Sequence, residues 1–272
     1  MLDTAMGNHC VMKIAAIGAT GTVGSHVVSK LEDGGADVVE VSRSHGVDLI
    51  SANGLREALN GVDVAIDTSN PFPPDDSIEL QDALAKSAQN VVDACLSEGV
   101  RHLVFLSIVG VENPVFDQFP YYAAKRAQEQ IVANSDLPST IVKSTQFDEF
   151  AINPAAVTVN DDEVSVQDWL IQPIAAEAVA DVLTEIAFSD DRPPTRRIAG
   201  PEPIRLPELT IKLLKDHHDS RAIRTIPPQL PELADGVLLA SDEAEVLGPS
   251  IEEWLGTSSA HETWRQTTSD QG

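Results

Sequence analysis

The sequence predicts an α/β protein, a doubly wound and mostly parallel sheet with a small C-terminal lobe. Three observations carry that prediction. Short apolar runs alternate with amphipathic helix patterns through the first half of the 272-residue chain. One run, Leu103-Val104-Phe105-Leu106, is continuously apolar, as strands buried on both faces are. The first run enters a glycine-spaced turn, Gly18-Ala19-Thr20-Gly21-Thr22-Val23-Gly24, that opens into a helix pattern. Strands separated by helices imply right-handed crossovers.

The elements follow in order. Residues 13–17 form the first strand. Residues 23–34 carry the first helix, with Val23, Val27, Val28 and Leu31 on one side. Residues 38–41 are the second strand, 55–59 a short helix and 62–68 the third core strand. Pro71, Pro73 and Pro74 then break the chain. A long helix over 77–99 places Leu80, Leu84, Ala88, Val91, Val92, Cys95 and Leu96 near one face. A buried strand (102–107), a helix (122–134) and a strand (139–143) complete this half. Beyond residue 147 the pattern changes. Residues 157–166 are short and turn-interrupted, with Asp161-Asp162-Glu163 as a solvated turn. A helix over 174–188 can return to cover the sheet. Gly200-Pro201-Glu202-Pro203 turns between extended pieces, and Pro207 starts another helix. Residues 235–241 are a further helical candidate, and 251–255 a short closing helix anchored by Trp254. The expected division is a core over 13–150, a smaller region over 151–256 with elements packing back on the core, and a mobile tail over 257–272 that includes Trp264.

Composition narrows the function classes. The formal net charge is -25, a surface that repels nucleic acid and anionic membranes. The 42% hydrophobic content supports a sizeable core. Cys10 and Cys95 do not make a disulfide framework. No zinc spacing is present, and His217-His218 reads as a solvent-facing pair rather than a metal site. The first twelve residues do not read as a signal peptide, and Met12 is an alternative start. No apolar segment reaches transmembrane length. The expectation is a cytoplasmic monomer or homodimer acting on a small molecule.

The glycine turn carries the first chemical content. In its strand-to-helix context it reads as a dinucleotide site. Gly18 allows the tight turn, Gly21 lets a pyrophosphate approach the backbone, and Gly24 lets the helix sit close to the sheet. Thr20, Thr22 and Val23 complete the turn, and amides at the helix start face the phosphates. The second strand ends at Ser42-Arg43-Ser44, where a protein preferring NAD usually places an acid for the ribose hydroxyls. Arg43 pairs instead with a 2'-phosphate, with Ser42 and Ser44 as donors, so NADP(H) is favoured over NAD. Thr68, Ser69 and Asn70 leave the third strand at its carboxyl end, where the nicotinamide ribose would lie. Tyr121 and Lys125 share a helix face. A lysine ammonium there lowers the phenol's pKa and holds the ribose, and the phenol passes a proton to a carbonyl oxygen as hydride arrives. Ser107 can hold the same oxygen. Gln146, Phe147 and Phe150 are substrate-side candidates, with Trp169 as a further apolar wall.

These segments, with Asn90-Val91-Val92-Asp93-Ala94-Cys95, Gly99-Val100-Arg101-His102 and Tyr121-Tyr122-Ala123-Ala124-Lys125-Arg126, resemble the atypical short-chain dehydrogenase/reductase group, especially its NmrA-like and NAD(P)H-binding members. Lys143-Ser144-Thr145-Gln146-Phe147-Asp148-Glu149-Phe150 is similar to the turn entering the substrate region in that group. The resemblance implies a Rossmann-like fold with a substrate-side lobe and an NADPH-dependent oxidoreductase acting on a small carbonyl or conjugated substrate. It also implies the alternative of a catalytically silent NADP(H)-binding sensor or regulatory protein, which the group contains.

Overall fold

The computed structural model describes residues 11–73, 75 and 77–269. Cys10, Pro74 and residues 270–272 lie outside these, as do the residues before Val11 on which the reading of the N-terminus rests.

Seven parallel strands form the main sheet. In chain order the elements are β1 (Lys13–Ile17), α1 (Thr22–Asp33), β2 (Asp37–Val41), α2 (Leu55–Leu59), β3 (Val64–Asp67), α3 (Leu80–Glu98), β4 (His102–Ile108), α4 (Pro120–Ala133) and β5 (Ser139–Ser144). The second half adds β6 (Val157–Val159), β7 (Glu163–Gln167), β8 (Leu170–Ile171), α5 (Ala176–Phe188), β9 (Thr195–Ala199), β10 (Ile204–Arg205), α6 (Leu206–Asp216), β11 (Ala222–Ile226), β12 (Glu245–Val246), α7 (Ile251–Leu255) and α8 (Ser258–Ser269). The main sheet runs β12-β9-β5-β4-β3-β1-β2. Ile14 pairs with Val38 on one side and Val64 on the other, so the chain reverses direction across the sheet at β1. Such a switch point opens a crevice at the carboxyl ends of the strands. The doubly wound fold is thus the one the alternating pattern predicts.

Burial explains why these runs are strands. Leu103, Val104 and Phe105 are fully buried, because helices cover both faces of β4. One face packs α1 and α5, bringing Val27 and Leu31 against Val179 and Leu183. The opposite face packs the α2, α3 and α4 side, with Leu55, Leu59, Val91, Cys95 and Val132. A third apolar cluster holds the second half together through Trp169, Leu209, Leu213 and Trp254. There β7 pairs antiparallel with β6 and parallel with β11, and β8 pairs antiparallel with β10.

Helix α5 and strand β9 return to the main sheet, β9 pairing parallel with β5. Asp161 and Asp162 sit in the bend between β6 and β7. One expectation changes. Residues 235–241 are turns rather than helix, with Gly236 at φ 91 holding the left-handed region that a helix interior excludes. Residues 258–269, within the stretch expected as a tail, form the helix α8. Ala260 is fully buried and Trp264 stacks on His217, and these contacts hold the otherwise polar helix against α6. Among the described residues, no helix is long and apolar enough to cross a membrane.

Candidate active site

A cleft of about 970 Å³ opens along the carboxyl ends of β1 to β5. One end of it is the glycine turn. Gly18 has φ 85, and a Cβ there would meet the Ser69 backbone nitrogen at 2.9 Å. Gly24 is tighter still: its Cβ would fall on the Gly18 carbonyl oxygen. Both glycines are therefore imposed by close backbone packing, as the spacing suggests. At Gly21 the nearest atom is the Gly18 oxygen at 3.3 Å, so this glycine is not demanded by packing in the same degree. It caps α1 without a side-chain bond, so the first turn of the helix presents amides to a ligand rather than to a capping side chain. Gly18, Thr20, Gly21, Thr22 and Val23 all line the cleft, while Gly24 packs beneath it.

Beside the turn, Ser42, Arg43 and Ser44 line the same cleft. Ser42 Oγ lies 2.8 Å from both Ser44 Oγ and His45 Nδ1, a hydroxyl cluster beside the guanidinium. Glu40 points away, 3.8 Å from His45 Nε2. Asp48 does line the cleft, but its carboxylate already accepts from the Ile50 amide at 2.9 Å and the Ser51 hydroxyl at 3.0 Å. These hydrogen bonds, with Arg43 nearby, hold it below the usual carboxylate range although burial opposes them. Lys86 of α3 also lines the cleft, a cation not singled out in the sequence.

The other end brings together Ser69, Asn70, Ser107, Tyr121, Gln146, Phe147 and Phe150 as cleft-lining residues. Their detailed roles differ from the sequence expectation. Thr68 Oγ1 donates to the Ile17 carbonyl at 3.1 Å and helps seat the turn. Asn70 Nδ2 donates to the Tyr121 hydroxyl oxygen at 3.0 Å. That bond occupies an acceptor position and leaves the phenolic proton available for donation. Phe72 stacks on Tyr121, with ring centroids 6.2 Å apart. Burial raises the Tyr121 pKa, and the Asn70 bond opposes the rise. In this geometry Asn70 is the polar partner of Tyr121, and Lys125 bonds to the main chain. Lys125 is 4% exposed and lies beneath the cleft, its Nζ donating to the Leu106 carbonyl at 3.2 Å and sitting over the Phe105 ring. Burial lowers its pKa to about 8, with Asp67 and Glu129 pulling the other way. Asp67 is itself buried, which raises its pKa, while its Ser69 contact and Lys125 favour the charged form.

Ser107 departs from expectation in the same way. Its hydroxyl donates to Glu129 at 2.7 Å, so its proton does not point at a substrate oxygen. Glu129 is held in turn by Lys143 Nζ at 2.7 Å, and Lys143 reaches Glu112 at 3.2 Å. The Ser107 lone pairs remain to accept a bond from the cleft side. Gln146 donates to the Tyr122 hydroxyl at 3.2 Å, and Tyr122 packs on Phe116 rather than facing the cleft. Trp169 is 2% exposed and supports Phe150 from behind, with ring centroids 5.3 Å apart. It is core packing and not cleft wall. Sequence reading missed Glu129, Asp67 and Lys143. The i, i+4 series that pairs Tyr121 with Lys125 continues to Glu129, and Asp67 is a carboxylate ending an apolar strand. Those signals were available.

The NAD(P)H-binding family pattern matches residues 45–190. The chain belongs to that family. It is 33% identical over 147 residues to the (4-alkanoyl-5-oxo-2,5-dihydrofuran-3-yl)methyl phosphate reductase of Streptomyces griseus, a match covering 49% of this chain and 48% of the relative. It is 29% identical over 192 residues to the photosystem II assembly factor Ycf39 of Cyanophora paradoxa, covering 65% of this chain and 58% of that protein. The chain thus spans only about half the length of these relatives. Among solved structures, the epimerase Mth375 of Methanothermobacter thermautotrophicus superposes with a TM-score of 0.70 at 13% identity, covering 94% of both chains. That likeness shows the fold alone, a doubly wound Rossmann-like α/β architecture.

Proposed function

We propose that this member of the NAD(P)H-binding family is an NADPH-dependent oxidoreductase reducing a small carbonyl or conjugated substrate. The observation that carries the reading is the pair of ends of one cleft: Arg43 with two serine hydroxyls at the glycine turn, and a Tyr121 hydroxyl held by Asn70 at the other. The first end fits a 2'-phosphate, since a guanidinium and two hydroxyls line it and the Asp48 carboxylate there is bonded to Ile50 and Ser51. When bound, the cofactor supplies the hydride. The chain's own part is to orient and to move a proton. The α1 amides and Gly21 receive the pyrophosphate. Lys125 would hold the ribose side of the cofactor from beneath the cleft, and it fixes the β4 end through the Leu106 carbonyl. Tyr121 donates its proton to the substrate oxygen, its phenolate developing against the Asn70 amide. Ser107 accepts from the product hydroxyl, with Glu129 setting its direction. Phe147 and Phe150 form the apolar wall on the substrate side.

A second reading has its own support. Ser107 and Lys125 are both committed to protein partners, as they would be in an NADP(H)-binding sensor that does not turn over. The two relatives divide along the same line, one named a reductase and the other an assembly factor. Calorimetric titration of nucleotide-free protein with NADPH and NADH, followed by a carbonyl-substrate screen with wild type and Tyr121→Phe, separates the readings. Oxidoreductase function predicts tighter NADPH binding, about tenfold of which is lost in Arg43→Ala with NADH binding unchanged, and turnover about a hundredfold lower in Tyr121→Phe. Equal affinities for both nucleotides would overturn the NADP assignment. Tight NADPH binding with no turnover of any substrate would favour the sensor.

A further inference from the structure

Away from the cleft, α6 and α8 bring three ligand-type side chains to one point. Asp216 is the last residue of α6, His217 caps it, and His261 comes across from α8. One ligand atom of each lies within 4.8 Å of the other two. The two imidazoles meet edge to face with centroids 5.0 Å apart. His217 is the anchored member: Trp264 stacks on it at 5.5 Å, and its Nε2 lies 3.3 Å from the Ala260 carbonyl. A carbonyl partner on one ring nitrogen makes that nitrogen the proton carrier and leaves Nδ1 with its lone pair free. This is the outer arrangement that orients metal-binding histidines. Asp216 stands at the negative end of the α6 dipole, where a cation is favoured and a carboxylate is not. Its approach to His261 Nδ1 is 4.0 Å, too long for a hydrogen bond, so the two groups face one another across a gap.

We propose that Asp216, His217 and His261 form a site for a borderline divalent transition metal such as Zn²⁺, clipping α8 to the C-terminal end of α6. Two imidazoles and one carboxylate suit zinc and disfavour magnesium and calcium, which take all-oxygen sets. Tetrahedral zinc with bonds of about 2.1 Å holds its donors roughly 3.4 Å apart. Asp216 and His261 are both exposed, so rotation of their side chains onto His217 closes the difference, and water completes the fourth position. The ion would tie together two helices whose present contact is made mainly by rings and one carbonyl. This site is independent of the cofactor reading above.

The test uses the full chain, treated with chelator and then titrated with Zn²⁺ by calorimetry in excess Mg²⁺, which occupies the many surface carboxylates of this acidic protein. Thermal unfolding is followed in parallel. One saturable zinc per chain is expected, with affinity at least tenfold weaker in His261→Ala and in Asp216→Ala. His218→Asn, at the neighbouring left-handed position that asparagine tolerates, should bind as wild type does. Zinc should raise the Tm of wild type and of His218→Asn but not of His261→Ala. Absence of saturable binding, or binding that His261→Ala leaves unchanged, would overturn the site.

Discussion

The glycine turn offers a ligand its backbone, whereas the Tyr121 end of the cleft offers side chains already bonded to partners. Gly18 and Gly24 pack so closely to neighbouring main chain that no larger residue fits, and the first amides of α1 are left for a ligand. At the far end Ser107 answers to Glu129, Tyr121 to Asn70, and Lys125 to the Leu106 carbonyl over a buried Asp67. A backbone site is specified by what must be absent at a few positions. A side-chain site is specified by partners distributed over several elements.

The strongest way to break that contrast is at Gly24. A Cβ there would overlap the Gly18 carbonyl oxygen and carbon, both main-chain atoms that cannot swing aside. Gly24→Ala should destabilise by more than about 3 kcal/mol, with nucleotide binding lost as the helix is pushed off the turn. Gly21→Ala, whose Cβ would have only a 3.3 Å contact, should keep the fold and lose affinity alone. Urea denaturation and nucleotide titration of both variants measure the difference. Equal stability losses would show that the two glycines serve packing alike.

The same contrast explains what was legible in the sequence. Glycines at 18, 21 and 24 can be read directly because steric exclusion leaves glycine as the residue that fits. The buried strands are legible because apolar runs of β-branched and large residues have few other uses, and β4 spans His102–Ile108 where 102–107 was expected. The spacing of Tyr121 and Lys125 correctly placed them on one helix, but spacing does not say where an ammonium points. Lys125 turns inward because the Leu106 carbonyl and Asp67 offer it partners below the cleft, and both come from other elements. Residues 235–241 looked helical from composition, yet the left-handed Gly236 decides for turns. Helix α8 was read as a tail because its own sequence is polar, and what holds it, His217 and Arg221 against Trp264, lies far along the chain.

The buried pair beneath the side-chain end gives a second, sharper test. Lys125 stabilises the charged form of Asp67, and both are almost wholly out of water. Lys125→Met leaves the carboxylate without its cation and should cost about 3 kcal/mol, because removing one member of a buried pair strands the other. Adding Asp67→Asn should recover at least half of that loss. A double-mutant cycle by urea denaturation at neutral pH reads the coupling. Additive effects would show that Lys125 contributes through packing on Phe105 and not through charge, and would weaken the contrast between the two ends.

The smallest effect expected is one of pH, and it belongs to the side-chain end alone. Asp148 follows the cleft residue Phe147, is 1% exposed, and has Oδ1 without a hydrogen-bond partner. Burial, with Glu149 and Glu202 adding to it, pushes its carboxyl up to about 8 from an ordinary value of 3.8. Between those values the folded chain binds more protons than the unfolded one, so this group makes stability fall as pH rises. The contribution is fully present below the unfolded value and is lost progressively up to the folded one. Asp148→Asn, which stays neutral throughout, should therefore be relatively more stable than wild type at pH 7 than at pH 5, by about 2.7 kcal/mol, since one proton corresponds to about 1.4 kcal/mol per pH unit. Urea midpoints of the two proteins across this range isolate the effect, because every other titrating group is shared. Parallel curves would mean that Asp148 is ionised in the folded chain and finds a partner there. The glycine turn, built of backbone, offers no titrating group, so Gly21→Ala should follow the wild-type pH profile throughout.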